Sequence, residues 1–232
     1  MIKNTIKIAL VGQPNVGKSM LINSISNARL KVGNFSGVTV SKEQVFFDYK
    51  NFHIEIVDLP GAYSLNDYTI EEKVTKDFLN NEKYDIILNV LDSTNLQRNL
   101  LLTAELLTLD KKMIIALNMS DEAEKESILI DEIQLSKILG KPCIKTSAAK
   151  KSGITKLLDE IFFKFQSQKV PSKFFFSNVI EEEIENISRV LEENKYETTE
   201  TYRQISLGLL KENKNIYKQF HDEPIWIKIQ PI

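Results

Sequence analysis

The sequence predicts an α/β fold: a mostly parallel six-stranded sheet with helices on both faces, followed by a small all-helical domain. Three observations predict it. Short, β-rich apolar runs alternate with stretches of helical period. The runs are nearly continuous in their apolar character, as in parallel strands buried on both faces. Beyond about residue 168 the alternation stops and only helical periodicity remains.

In order, the first strand is Ile6–Val11, followed by a helix over about Lys18–Ser26. Strands at Val45–Tyr49 and His53–Val57 flank Lys50 and Asn51, a spacing that suits an antiparallel hairpin at the sheet edge. A helix over Ile70–Asn80 then leads to the strand Ile86–Leu91, and a helix over Leu96–Thr108 to the strand Met113–Leu117. A helix over Ile130–Leu139 precedes the last strand, Cys143–Thr146. In the helix Ile154–Gln166, residues Ile154, Leu157, Leu158, Ile161, Phe162 and Phe165 fall on one face. The register breaks at Gln166–Val170, before Pro171. Ile180, Ile184, Ile187 and Leu191 then mark one helix, Tyr202, Ile205, Leu209 and Leu210 another, and a final segment holds Trp226. No internal repeat is present.

The composition excludes several classes. A chain of 232 residues, 42% hydrophobic and 27% charged, can bury a sizeable core, so it is not disordered as a whole. A single cysteine excludes a disulfide scaffold or a Cys-built zinc site. No apolar run approaches the ~18 residues of a membrane helix, and MIKNTIKIALVG lacks the form of a signal peptide. Residues 1–168 carry 21 basic and 21 acidic side chains, and residues 169–232 carry 9 and 11. No segment advertises nucleic-acid or anionic-lipid binding.

The chemistry lies at the C-terminal ends of the strands. Gly12-Gln13-Pro14-Asn15-Val16-Gly17-Lys18-Ser19 follows the first strand and fits the phosphate-loop pattern. Its backbone N–H groups would form an anion nest, Lys18 would neutralise β- and γ-phosphates, and the Ser19 hydroxyl would coordinate Mg²⁺. A Gly-rich turn with a solvated lysine is the bland alternative, and the strand before and helix after weigh against it. Asp58-Leu59-Pro60-Gly61 ends another strand, where a carboxylate can hold Mg²⁺ through water and a glycine amide can sense the γ-phosphate. Alone it is a common turn. Asn118-Met119-Ser120-Asp121 follows the strand Met113–Leu117. Asp121 could accept from guanine N1 and N2, a donor pair that adenine lacks, with Asn118 bracing the loop. Alone it could be a helix cap. Thr146-Ser147-Ala148 offers a backbone N–H to guanine O6. It is the order of the four, each at a strand end, that is specific.

Residues 1–168 thereby resemble the TRAFAC-class P-loop GTPases. The segments Gly33-Asn34-Phe35-Ser36-Gly37-Val38-Thr39-Val40, Asp58-Leu59-Pro60-Gly61-Ala62-Tyr63-Ser64-Leu65, Arg98-Asn99-Leu100-Leu101-Leu102-Thr103 and Asn118-Met119-Ser120-Asp121-Glu122-Ala123 carry a closer likeness. They are similar to the cytosolic N-terminal region of the bacterial ferrous iron transport protein B (FeoB) family. Tyr202-Arg203-Gln204-Ile205 and Leu209-Leu210-Lys211-Glu212 resemble that family's appended helical domain, with lower specificity.

The resemblance implies a Ras-like GTPase (G) domain over 1–168 and a regulatory, dissociation-inhibitor-like helical appendage over 169–232. It implies hydrolysis of GTP to GDP and phosphate, with Asn15, Lys18, Thr39 and Gly61 in catalysis. Mg²⁺ would be held by Ser19, Thr39 and Asp58, and K⁺ by Asn15, whose bland alternative is a loop-shaping side chain. The implied nucleotide contacts are Gly12, Gln13, Pro14, Asn15, Val16, Gly17, Lys18, Ser19, Met20, Gly37, Val38, Thr39, Asp58, Gly61, Asn118, Met119, Asp121, Ser147, Ala148 and Ala149. Segments 33–40 and 58–67 would be switch I and switch II. Ala62 replaces a water-orienting glutamine, which implies slow intrinsic hydrolysis. Met119 replaces a lysine and forfeits its cation–π contact with the base, which implies modest affinity. The implied partners are guanine nucleotide and a membrane-embedded transporter domain, through which the chain could oligomerise, at the cytoplasmic face of the bacterial inner membrane; nucleic acid is not among them. A ribosome- or tRNA-associated GTPase, and a nucleotide-binding regulatory module with negligible turnover, are the alternatives.

Other residues are read as structural. Arg29 is a loop cation, Cys143 packs in the last strand, and His53 and His221 are isolated. Glu181-Glu182-Glu183 is read as a solvated helix face rather than an iron-gathering cluster, and Phe174-Phe175-Phe176 as core of the helical module or a contact with the α/β domain, ahead of exposure to a membrane partner.

Overall fold

The computed structural model describes residues 5–25, 29–35, 38–66, 68–168, 174–198 and 200–230. These group into two compact units, one within Met1–Ser172 and one within Lys173–Ile232. The first contains seven strands: β1 (Thr5–Gly12), β2 (Arg29–Asn34), β3 (Ser41–Tyr49), β4 (Phe52–Asp58), β5 (Ile86–Asp92), β6 (Met113–Asn118) and β7 (Cys143–Lys145). They form one sheet of order β2-β3-β4-β1-β5-β6-β7. β1 runs parallel to β4 and β5, and β5, β6 and β7 continue in parallel. β3 is antiparallel to both β2 and β4.

The helices of this unit are α1 (Lys18–Asn23), α2 (Ile70–Asn81), α3 (Leu96–Leu107), α4 (Ser120–Lys125), α5 (Glu132–Leu139) and α6 (Ile154–Gln166). Leu21 and Ile22 of α1 and Leu157 and Ile161 of α6 join Ile8, Leu10, Ile54 and Ile56 in one cluster. The intervening strand residues Ala9, Val57 and Ile87 are equally buried, so both sheet faces are covered. That double burial explains why the central strands read as unbroken apolar runs.

The strand count is seven, one more than the six expected. β2 went unseen because Arg-Leu-Lys-Val-Gly-Asn has only two apolar residues, and Gly and Asn disfavour strands. Its backbone is an edge strand, where a loop holding Arg29 was expected. The hairpin at Lys50 and Asn51 forms, with Tyr49 opposite Phe52 and Lys50 at φ 52, but β2 places it one strand inside the edge. α4 was also unforeseen. α1 is described to Asn23, and Ser26 of the expected helix lies outside the described residues, as does Pro171. α5 begins at Glu132 rather than Ile130, because the Asp131 carboxylate accepts from the Ile133 and Gln134 amides and caps it.

The second unit is helical among its described residues: α7 (Asn178–Glu193), α8 (Tyr202–Leu210), α9 (Lys214–His221) and α10 (Trp226–Ile229). Its core holds Ile187, Leu191, Ile205, Leu209, Ile216, Phe220, Ile225 and Ile229. A capping box starts α8, with Thr201 and Gln204 bonded reciprocally. Arg203 grips Glu181 through both terminal nitrogens (2.6 and 2.7 Å) and donates to the Phe174 carbonyl at 2.8 Å. Glu181 is therefore part of a half-buried clamp, not a solvated face.

Candidate functional site

The loops that follow β1, β4, β6 and β7 converge at the C-terminal edge of the sheet, where open α/β folds place ligands. From β1 the chain turns through residues 13–17 into α1. Gly17 has φ 84, and a Cβ there would stand 2.5 Å from Asn118 Nδ2, so this turn needs glycine on two grounds. Val16 is buried in the main core, and the Gln13 carboxamide donates to the Arg98 carbonyl of α3 at 2.8 Å. The Gln13 and Val16 side chains therefore anchor the loop, whereas Asn15, Ser19 and Met20 are exposed on it. Asn15 is left-handed, at φ 68.

Lys18 Nζ lies 3.9 Å from Asp58 Oδ1 at the end of β4, too far for a hydrogen bond, and both side chains are almost buried. Burial pushes the Lys18 ammonium down and the Asp58 carboxyl up to about 6, each partly countered by the other's charge. Asp58 Oδ1 is buried with no hydrogen-bond partner among the described residues. A buried carboxylate oxygen left without a donor fits a hard divalent cation, and the hydroxyl of Ser19, next to Lys18 in the chain, is a ligand of the same oxygen type.

Gly61 follows Asp58 by three residues and lies against the phosphate-loop backbone: a Cβ would meet Pro14 Cα and N at 3.0 Å. The Ala62 amide donates to the Gly12 carbonyl at 3.3 Å. Ala62 is buried, and its methyl has no hydrogen-bonding capacity. The Ser64, Leu65 and Tyr68 amides are held from outside the loop. Glu72 of α2 accepts from Ser64 N and Tyr68 N, each at 3.1 Å, and Glu105 of α3 accepts from Leu65 N at 2.6 Å. The Arg98 guanidinium stacks over the Tyr63 ring, 4.6 Å from its centroid. A cavity of about 440 Å³ lies between Pro14, Asn15 and Lys18 on one side and Gly61, Tyr63 and Glu71 on the other.

On the far side, Asn118 joins two loops. Its Nδ2 donates to the Val16 carbonyl at 2.9 Å, and its Oδ1 accepts from Ala148 N at 3.1 Å and Thr146 Oγ1 at 3.4 Å. Met119 is left-handed (φ 57) at the start of α4. Asp121 is buried, and a hydrogen bond from the Ser147 side chain leads the effects that hold its carboxyl below the usual range. Ala148 and Ala149 follow Ser147 in the same loop, and the Ala148 amide is engaged by Asn118.

The structure thus assembles Gly12 to Met20, Asp58, Gly61, Asn118, Met119, Asp121 and residues 147–149 around one edge. It does not bring Thr39 there. Thr39 is exposed beyond the tip of the β2–β3 ladder and does not line the cavity; Val38 is half-buried beside it. Gly37 lies outside the described residues. Glu72 and Glu105 were missed by the sequence reading. For Glu72 a signal existed, the Thr-x-x-Glu spacing Thr69–Glu72 at a helix start, although its carboxylate serves the preceding loop. For Glu105 there was none. Among the described residues no cluster of His, Cys, Asp or Glu is arranged to hold a metal ion, and no helix is long and apolar enough to cross a membrane. Cys143 is buried, and burial pushes its thiol up to about 11.

A seven-stranded sheet bearing a phosphate loop, an Asp-x-x-Gly turn and an Asn-x-x-Asp loop at the ends of β1, β4 and β6 has the fold of a P-loop GTPase. Residues 6–161 match the family model described as ferrous iron transport protein B. The chain belongs to that family. It is 53% identical over 176 residues to the Fe(2+) transporter FeoB of Campylobacter jejuni, covering 76% of this chain and 29% of that protein. The chain therefore spans under a third of the length of that relative. The GDP form II of the Thermotoga maritima FeoB cytosolic domain matches with TM-score 0.86 and 33% identity, over 93% of this chain and 85% of that one. The GMPPNP form of the same domain matches with TM-score 0.83 and 34% identity, over 92% and 84%.

Proposed function

We propose that this chain is the guanine-nucleotide switch region of a ferrous iron transporter. In this reading it binds GTP, hydrolyses it to GDP and phosphate, and reports the bound state to a membrane-embedded domain at the cytoplasmic face of the bacterial inner membrane. Residues 1–168 would form the nucleotide domain, and 169–232 the regulatory helical appendage.

The observation that carries this reading is the Asn118 junction. One buried carboxamide ties the phosphate loop at Val16 to the loop at Thr146–Ala148, so phosphates and base would be held at a fixed separation. The backbone of Gly12–Met20 would wrap the phosphates, with Lys18 neutralising them. Asp121 would accept from the base, Met119 would cover it, and Ser147, Ala148 and Ala149 would line its carbonyl edge. Gly37 and Val38 would approach with Thr39 when switch I closes, and the Gly61 amide would meet the γ-phosphate.

The residues present suit Mg²⁺: Ser19 and Asp58 would hold it, joined by Thr39, and it would supply charge neutralisation at the phosphates. Asn15, exposed on the loop, would hold K⁺ there. With Ala62 unable to orient water, the intrinsic rate would be slow. Oligomerisation would pass through the transporter domain.

Base choice tests the reading. Asp121→Asn should weaken GTP binding by at least ~100-fold and favour a xanthine nucleotide, since a site built for hydrogen bonds strongly rejects a mismatched partner. Unchanged guanine selectivity would defeat the assignment. Ala62 supports a second reading, a nucleotide-binding module with negligible turnover. Phosphate release in potassium against sodium buffer, with Asn15→Ala as control, separates the two: release above background in potassium, lost in the variant, supports the enzyme.

A further inference from the structure

The extra strand β2 is held in an unusual way. Its backbone pairs with β3 from Arg29↔Phe46 to Asn34↔Ser41, and Phe35 N extends the ladder by donating to the Val40 carbonyl at 3.0 Å. Lys31, Val32, Gly33 and Asn34 are all exposed, with Val32 at 61%. The ladder therefore gains little from apolar burial along these residues, and an edge strand of this kind is marginal by itself.

Among the described side chains from Lys31 to Phe35 the exception is Phe35, the residue just past the end of β2. Phe35 is buried, and its ring meets Phe78 of α2 edge-on, with centroids 6.1 Å apart and planes at 84°. Lys42 Nζ lies 5.6 Å from the Phe35 ring centroid and 5.8 Å from that of Phe78, so one ammonium is shared by both rings. Four residues further on, Thr39 is exposed.

We infer that Phe35 is a positioning residue for the nucleotide switch: seated on Phe78, it keeps β2 zipped to β3 and Thr39 in solvent until triphosphate binding draws switch I inward. This rests on the role assigned to Thr39 under the proposed function. With Phe35 N bonded to Val40 O, Thr39 stands beside the last rung of the ladder, and drawing it to the Asp58–Lys18 site would break that rung. Breaking it removes Phe35 from Phe78, which belongs to the helix that follows switch II. A state favoured by this contact is disfavoured by any ligand that needs Thr39 at the phosphates. The two switches would thus communicate through one ring pair.

The test uses the whole chain. It has a single tryptophan, Trp226, so Trp226→Phe combined with Phe35→Trp leaves one indole reporter, at the plug. The recess beside it, about 380 Å³ between Phe35, Val38, Ile70, Val74 and Phe78, has room for an indole. Binding of a fluorescent GDP analogue is measured first. If none binds, the functional reading falls and this inference falls with it. If it binds, the reporter's emission should stay blue with Mg-GDP and move to the red with Mg-GMPPNP, whereas identical spectra in the two states would overturn the inference alone.

Phe35→Ala should raise the ratio of GMPPNP to GDP affinity about tenfold, because it penalises only the plugged state. Val32→Ala, at an exposed position of the same strand, should leave that ratio unchanged. A merely structural Phe35 would lower both affinities equally, and that result would overturn the proposal.

Discussion

The two walls of the site are built on opposite terms. On the side proposed to hold the base, Asn118, Asp121, Thr146 and Ser147 are buried, and the Asn118 carboxamide bonds the phosphate loop, Thr146 and the Ala148 amide. On the side proposed as the switch, Thr39 and Tyr63 are exposed, the Ser64, Leu65 and Tyr68 amides depend on carboxylates borrowed from α2 and α3, and Asp58 Oδ1 has no donor among the described residues. The first wall is tied together by its own side chains. The second is left unsatisfied in ways a bound phosphate and cation would relieve. Rigid recognition of a base needs preformed polar geometry, whereas sensing one phosphate needs a wall whose equilibrium a ligand can shift.

The base-side wall should break most expensively. Asn118→Ala removes two well-formed hydrogen bonds and strands the Val16 carbonyl and the Ala148 amide in the interior. We expect a loss of about 4 kcal/mol, since each buried group left unsatisfied costs ~1–3 kcal/mol. Urea unfolding without nucleotide measures it. A loss well under 1 kcal/mol would mean that this wall is no more preformed than the other.

The next effect lies at Asp58 and has a direction in pH. Its carboxyl is raised from 3.8 to about 6 in the folded chain, chiefly by burial, so the folded state binds the proton more tightly than the unfolded chain does. Its contribution to stability is therefore full below about pH 4 and is lost as pH rises through 6, a difference of about 3 kcal/mol for the ligand-free chain. Asp58→Asn should flatten that slope and make the ligand-free chain more stable at pH 7, while abolishing magnesium-dependent tightening of GTP. A variant that kept the wild-type slope between pH 4 and 7 would place the strain elsewhere.

Much of this was legible in the sequence, unequally between the walls. The central strands announced themselves because two-sided burial makes them continuously apolar. The phosphate loop and the Asn118–Asp121 loop did so because their chemistry fixes residue type at fixed spacing. Strand β2 was illegible: its described side chains are exposed, and the buried Phe35 lies beyond its end. The borrowed carboxylates were hidden by distance, since Glu105 serves a residue 40 positions away. Sequence reports what a residue is, and in the switch wall the decisive fact is what a neighbour lends.

Glu72 tests that loan with the smallest of these effects. Its buried carboxylate accepts from Ser64 N, Ser64 Oγ and Tyr68 N, while the Thr69 hydroxyl separately caps α2 by accepting from the Glu72 amide. Glu72→Ala should leave that cap in place, because the cap uses the backbone of residue 72, and should release only the loop. Net stability should fall by about 2 kcal/mol, in line with ~1.5–3 kcal/mol for hydrogen bonds to a charged group, offset by no longer burying that charge. Amide exchange discriminates better than the melting curve: Ser64, Leu65 and Tyr68 should lose protection while α2 keeps its own. If α2 frays together with the loop, Glu72 is part of the helix's foundation, and the switch wall is less separable from the core than its hydrogen bonds indicate.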